Sequence, residues 1–120
     1  MKVKKYRIPI YGGRLVVIHT DDLKAVADKH KLSSGAEDCT AFVFNKVTDK
    51  GRFKVYAVFK RRDLDIIAHE TVHAVNCIFV YRDLELDRIN DEAQAYLTGW
   101  VFRKIYKALY NDSKGHTTGT

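Results

Sequence analysis

Apolar and polar residues alternate with a period of two over several short stretches of the first sixty residues, then switch to helical spacing. "VKKYRIPI" (3–10) reads as a strand, "YGGR" as a turn and "LVVIH" (15–19) as a second strand. "TDDLKAVADKHKL" (20–32) reads as a helix. Thr20 or Asp21 can cap it, and Leu23, Val26, Ala27 and His30 share one face. "SSG" (33–35) breaks it. "CTAFVFNKV" (39–47) is a strand, "TDKG" a hairpin turn and "RFKVYAVFK" (52–60) a further strand. In that strand Phe53, Val55, Ala57 and Phe59 alternate with Arg52, Lys54, Tyr56 and Lys60. The alternation predicts one buried face and one wet face.

From Arg61 the spacing is helical. "RRDLDIIAHETVHAVNCIFVYR" (61–82) reads as a helix capped by Asp63 or Asp65. The polar connection "DLELDRIN" follows, and "NDEAQAYLTGWVFRKIYKALY" (90–110) is a second long helix opening at Asn90 or Asp91. The small, polar "NDSKGHTTGT" is expected to fray. The order strand, strand, helix, strand, strand, helix, helix predicts a single α+β domain over residues 1–112, with a flexible tail at 113–120. Two long helices would pack on a small, mostly antiparallel sheet.

Composition adds bounds. The 120 residues suit one core, and 46 % apolar with 30 % charged residues is the balance of an ordinary globule. The longest apolar run, Ala74 to Tyr81, is interrupted by Asn76 and is too short for a bilayer, so no membrane partner is expected. The basic start, "MKVKKYRIPIYGG", lacks the apolar stretch and cleavage site of a signal peptide. Cys39 and Cys77 make no disulfide framework, and a reducing cytoplasmic setting is the default. The net charge of +6 is spread along the whole chain, which reads first as a solvated surface.

The candidate chemistry lies in "AHETVHAV" (68–75). On a helix His69 and His73 stand one above the other and can bind one ion, while Glu70 is rotated by about 100° and can sit beside the metal without ligating it. A hydrolytic zinc site needs three protein ligands, an open position for water and a carboxylate to take the water's proton. With five histidines and four glutamates in the chain, such a motif arises by chance in fewer than roughly one chain in a hundred. Chance is therefore a poor explanation.

A third ligand is needed. Cys77 is on the same stripe, but it lies about 12 Å along the axis from His69, too far to converge on one ion. It reads instead as a buried small apolar residue. His19, His30 and His116 stay open as surface histidines or ligands. Glu92, near the start of the next helix, is the best candidate. Ala93, Ala95 and Gly99 are small and would permit close helix packing there. Asp91, Glu85 and Asp87 are alternatives, and a first-turn acid favoured by the helix dipole is the bland reading of Glu92.

"HETVH" followed by a helix opening "EAQAYL" resembles the small gluzincin-type zinc metallopeptidases. "EAxxY" is similar to the signature of the ImmA/IrrE-like peptidases, and the whole layout is similar to small metallopeptidase-like proteins of bacteriophages. The likeness covers about residues 63–105. It implies a zincin-like fold and a zinc metallopeptidase acting on a protein or peptide. His69, His73 and Glu92 would be the metal ligands and Glu70 the general base. Residues 52–60 would be the edge strand that aligns an extended substrate. If the protein is phage-encoded, the host cytoplasm or the virion would be its location. Larger gluzincins often carry an aspartate four residues after the ligand glutamate. Here that position is Tyr96, so bracing of the histidines would fall to Asn76, Asp65 or Asp91. Tyr96 shares a face with Glu92 and is a candidate to stabilise the oxyanion, with core packing as the alternative.

Two other functions compete. One is a non-catalytic protein that keeps the metal as a staple in a larger assembly. The other is a basic nucleic-acid module, with Tyr56, Trp100, Phe102 and Tyr106 available for stacking, although their spacing reads first as core. A peptidase acting on nucleic-acid-bound or assembled proteins would join the readings. A chain this short predicts a shallow cleft, or one completed by another subunit.

Overall fold

The alternating stretches form four strands: β1 (Lys2–Arg7), β2 (Arg14–His19), β3 (Ala41–Val47) and β4 (Phe53–Phe59). Helical spacing gives α1 (Leu23–Lys29), α2 (Leu64–Tyr81) and α3 (Glu92–Tyr110). The structure is a computed structural model and describes residues 1–32 and 39–111. The helix break at 33–35, the tail at 113–120 and His116 lie outside the described residues.

The elements follow the expected order in an α+β fold, but the sheet is mixed. Its spatial order is β1-β2-β4-β3. The outer pairings, β1 with β2 and β3 with β4, are antiparallel. The central pairing, β2 with β4, is parallel, with Leu15 opposite Val55 and Val17 opposite Ala57. The chain leaves β2, passes through α1, lays β3 at the rim and only then fills the centre with β4. The strand at 52–60 is therefore interior, which corrects its expected place at the edge. The free edge on that side belongs to β3.

Both faces of the central pair are buried. Leu15, Val17, Val55, Ala57 and Phe59 pack under α2 and α3. Val16, Ile18 and Val58 pack under Leu23, Val26 and Ala27 of α1. The expected wet face of β4 is thus half-covered: Val58 is fully buried and Tyr56 half-buried. Val58 breaks the strict alternation, and a strand with cover on both sides reads as a near-continuous apolar run.

Local bonds set the ends. Gly13 takes a positive φ in the β1–β2 connection, where an added Cβ would come within 2.7 Å of the Phe53 carbonyl. The cap of α1 is Asp22, whose Oδ1 accepts from the Ala25 N–H at 3.0 Å; Thr20 instead accepts from the Asp22 N–H. Asp63 precedes α2 and is held by Arg61 at 2.8 Å, without a side-chain capping bond. Asp91 likewise precedes α3 without one.

α2 lies over β4 and β3, and α3 lies over β2 and β1. The two helices run antiparallel. Arg62, just before α2, donates to the Leu109 carbonyl at 2.9 Å, and the Tyr110 hydroxyl donates to the Arg62 carbonyl. α3 turns Leu97, Trp100, Val101, Ile105 and Ala108 inward, while Ala93, Ala95 and Gly99 face solvent. Large side chains, not the small ones expected, make the helix contact.

Because α1 closes a second core, Ile18→Ala is expected to cost about 2–5 kcal/mol in urea unfolding, the range for a buried isoleucine. A cost within about 0.5 kcal/mol, as at surface positions, would show that this face is wet.

Candidate metal centre

α2 presents its polar stripe at the rim of the sheet. His69 and His73, one turn apart, are both exposed. Their Nε2 atoms approach to 3.2 Å, with the rings edge to face at 72°. At that separation one imidazole can donate to the other, or both lone pairs can share a cation. Two nitrogens bound at 2.0–2.1 Å to one tetrahedral zinc lie about 3.3 Å apart. The donor type and spacing of the pair therefore fit two positions of such an ion.

Glu70 differs from its neighbours. One step along the helix rotates it from the exposed stripe to the flank of the core, where it is only 7 % exposed. Among the described residues its carboxylate accepts no hydrogen bond. The His69 Nε2 lies 4.0 Å from its Oε2. Burial pushes the carboxyl above its usual range, and the two imidazoles act against that shift. A buried carboxylate without a bonding partner is costly in a purely structural helix.

An open cleft of about 510 Å³ runs beside these three side chains, between α2 and β3. Ala41, Val43 and Asn45 of β3 form the opposite wall, and Asn76, Cys77 and Val80 continue the helix side. Asn76, expected to brace a histidine, lines the cleft on the His73 side of the helix and makes no hydrogen bond to either imidazole among the described residues. Cys77 is half-buried against the core. The cleft wall from β3 was not legible in the sequence, because nothing in a strand's composition states which neighbour it lacks.

The remaining candidates lie elsewhere. Glu92 opens α3 on the face opposite the core and is exposed, as is Tyr96 at 53 %. Neither lines the cleft, and exposure removes the core-packing account of Tyr96. Asp65, Asp91, Glu85 and Asp87 are exposed too, and Asp87 caps its own loop by accepting from the Ile89 and Asn90 N–H groups. His30 packs against Phe44 and Tyr56, with its Nδ1 3.2 Å from Lys46 Nζ. His19 closes β2 opposite Lys2 and Phe59. Among the described residues no three His, Cys, Asp or Glu side chains converge to hold an ion. The imidazole pair and Glu70 are brought together, and among the described residues no third donor is beside them.

No protein-family model, curated protein or solved structure matches the chain.

The burial of Glu70 has a signed consequence. A carboxyl held above its unfolded value favours the fold fully below the unfolded pKa, about 4.3. That contribution is lost as pH rises through the folded value. Metal-free Glu70→Gln is therefore expected to melt above the native protein at pH 8, with the gain shrinking towards pH 4. Equal shifts at both pH values in thermal unfolding with chelator would show that the carboxyl is not desolvated.

Proposed function

We propose that the protein is a zinc-dependent metallopeptidase, with His69 and His73 as two of the metal ligands and Glu70 as the general base. The observation that carries this reading is the facing imidazole pair beside a buried carboxylate that accepts no hydrogen bond among the described residues and lies 4.0 Å from the His69 Nε2. A zinc ion held at such a pair would supply the chemistry of a bound water that ionises near neutral pH. Glu70, flanking the pair without sharing its stripe, would take that water's proton and return it to the leaving amine.

The third ligand of this reading is Glu92, which would have to be carried to the pair from the exposed first turn of α3, with Asp91, Glu85 and Asp87 as the alternatives. Tyr96, one turn beyond Glu92, would approach with it as the oxyanion donor. A protein or peptide substrate would lie in the open cleft along β3, whose outer backbone edge has no strand partner among the described residues. A closed structural zinc site would require four protein donors, and it would give the buried Glu70 no purpose.

Metal content decides. Protein purified without added metal is expected to carry one zinc per chain, lost in His73→Ala and in Glu92→Ala. Glu70→Gln should keep the zinc and lower peptide hydrolysis by about 10²–10⁴-fold. Zinc that survives Glu92→Ala would move the third ligand elsewhere. A native protein that takes up no zinc even when supplied would end the peptidase reading.

A further inference from the structure

The far end of the sheet, on the α1 face, carries an unusual charge arrangement. Arg7 pairs opposite Arg14, Arg14 opposite Lys54, and Lys54 opposite Lys46. Paired positions point to the same face, so one row crosses all four strands and every residue in it is a cation. Like charges directly opposite one another destabilise a sheet, and here three consecutive pairs repeat the penalty. Among the described residues none of the four is in an ion pair. Asp49, in the β3–β4 turn, is the nearest acid along the chain, and it too forms no ion pair. α1 covers Val16, Ile18 and Val58, and its C-cap His30 reaches the row only at the β3 end, where its Nδ1 is 3.2 Å from Lys46 Nζ.

The charge continues around the sheet end. A cavity of about 450 Å³ there is lined by Lys5, Arg14, Arg52, Lys54 and Arg82, with no acidic residue. Arg82 lies over the Tyr81 ring, which is stacked on Phe53 at 4.1 Å. Next to the cation row, two residues along the strands, Tyr56 and Phe44 are stacked on each other at 4.6 Å and covered by His30, so they close the α1 core and leave the row itself as the open part of this face.

We propose that this end of the sheet binds the phosphate backbone of a single-stranded nucleic acid. Three inter-strand steps of about 4.8 Å spread the row over about 14 Å. Charges in a line, not converging on a point, suit a chain of phosphates better than one free phosphate. The row turns the corner into the basic cavity, a path that a flexible single strand can follow and a stiff duplex cannot. A membrane surface would call for protruding apolar side chains within the row, and none is there. The cost of the opposed cations is then offset when phosphates lie between them. The site is on the other face of the sheet from the His69–His73 pair and does not depend on metal.

Fluorescence anisotropy with a labelled 15-nucleotide oligothymidylate, in chelator, tests this. Three to four phosphate contacts on a single strand give a salt slope of about −2 to −3, so binding should weaken about 20- to 50-fold between 50 and 200 mM salt. The double variant Arg14→Gln/Lys54→Gln should bind more weakly and with a slope shallower by about 1.4. It should also melt no lower than the native protein, since it relieves repulsion, which separates lost contacts from lost fold. No binding at 50 mM salt overturns the proposal, as does a slope unchanged in the double variant. Equal affinity for a 15-base-pair duplex, for polyglutamate or for phosphatidylserine vesicles would assign the row to another polyanion and overturn it as well. Competition by millimolar inorganic phosphate alone would reduce it to a phosphate site.

Discussion

The parallel pairing of β2 with β4 is the constraint on which the other elements depend. Each strand has apolar side chains on both faces, so each needs cover on both sides. That requirement fixes α1 on one face and α2 with α3 on the other. It leaves register under-determined by hydrophobicity alone, because a slip of one residue would still present apolar groups to both cores. The ends supply what the middle lacks. Gly13 lets the backbone pass close to the Phe53 carbonyl at one end, and the Thr20 N–H donates to the Phe59 carbonyl at 2.9 Å at the other. A slip would also drive Arg14 and Lys54 towards the interior, where an unpaired cation is costly.

From this ladder the candidate metal centre follows by exclusion. With β4 in the centre, β3 becomes the rim, and α2 lies over the β3–β4 pair with one stripe beyond the edge of the core. His69 and His73 are on that stripe. Glu70, a third of a turn away, is carried inward. Exposure of the imidazoles and burial of the carboxylate are thus a single geometric fact about where the helix meets the rim. The free-energy cost of burying Glu70 is small beside the apolar burial on the same helix. Ile67, Ala74, Val75 and Ile78 are all essentially inaccessible, and full burial of one large aliphatic side chain contributes about 1.5–3 kcal/mol.

The local content of the fold was legible in the sequence, and its long-range content was not. Strand and helix periods, their order and the placing of HETVH on a helix all follow from near neighbours along the chain. The spatial order of strands does not: "RFKVYAVFK" carries the same alternation whether central or at an edge, and only Val58 hints at a second buried face. The small residues of α3 illustrate the same limit. Ala93, Ala95 and Gly99 permit close approach, but Leu97, Val101 and Ile105 gain more by burial, so the larger residues turn the helix and carry Glu92 outward. The imidazole pair needed only a spacing of four to be found. A ligand from another helix needed the rotation of that helix, which is set by the whole core.

A chain of this length covers its sheet incompletely, and the uncovered parts are where its polar groups concentrate. α1 spans seven residues and leaves the end of its face to Arg7, Arg14, Lys54 and Lys46. α2 leaves the rim of β3 open beside the imidazoles. The two regions come nearest at the end of α2, where Val80 lines the cleft while Tyr81 and Arg82 line the basic cavity. Arg82 is the C-cap of that helix, where the macrodipole favours a cation. Its guanidinium is drawn across the Tyr81 ring towards the sheet end, away from the cleft. The helix terminus therefore keeps its fixed cation with the row and away from the imidazoles, so the proposed cation site and the proposed anion site would not compete on one small sheet.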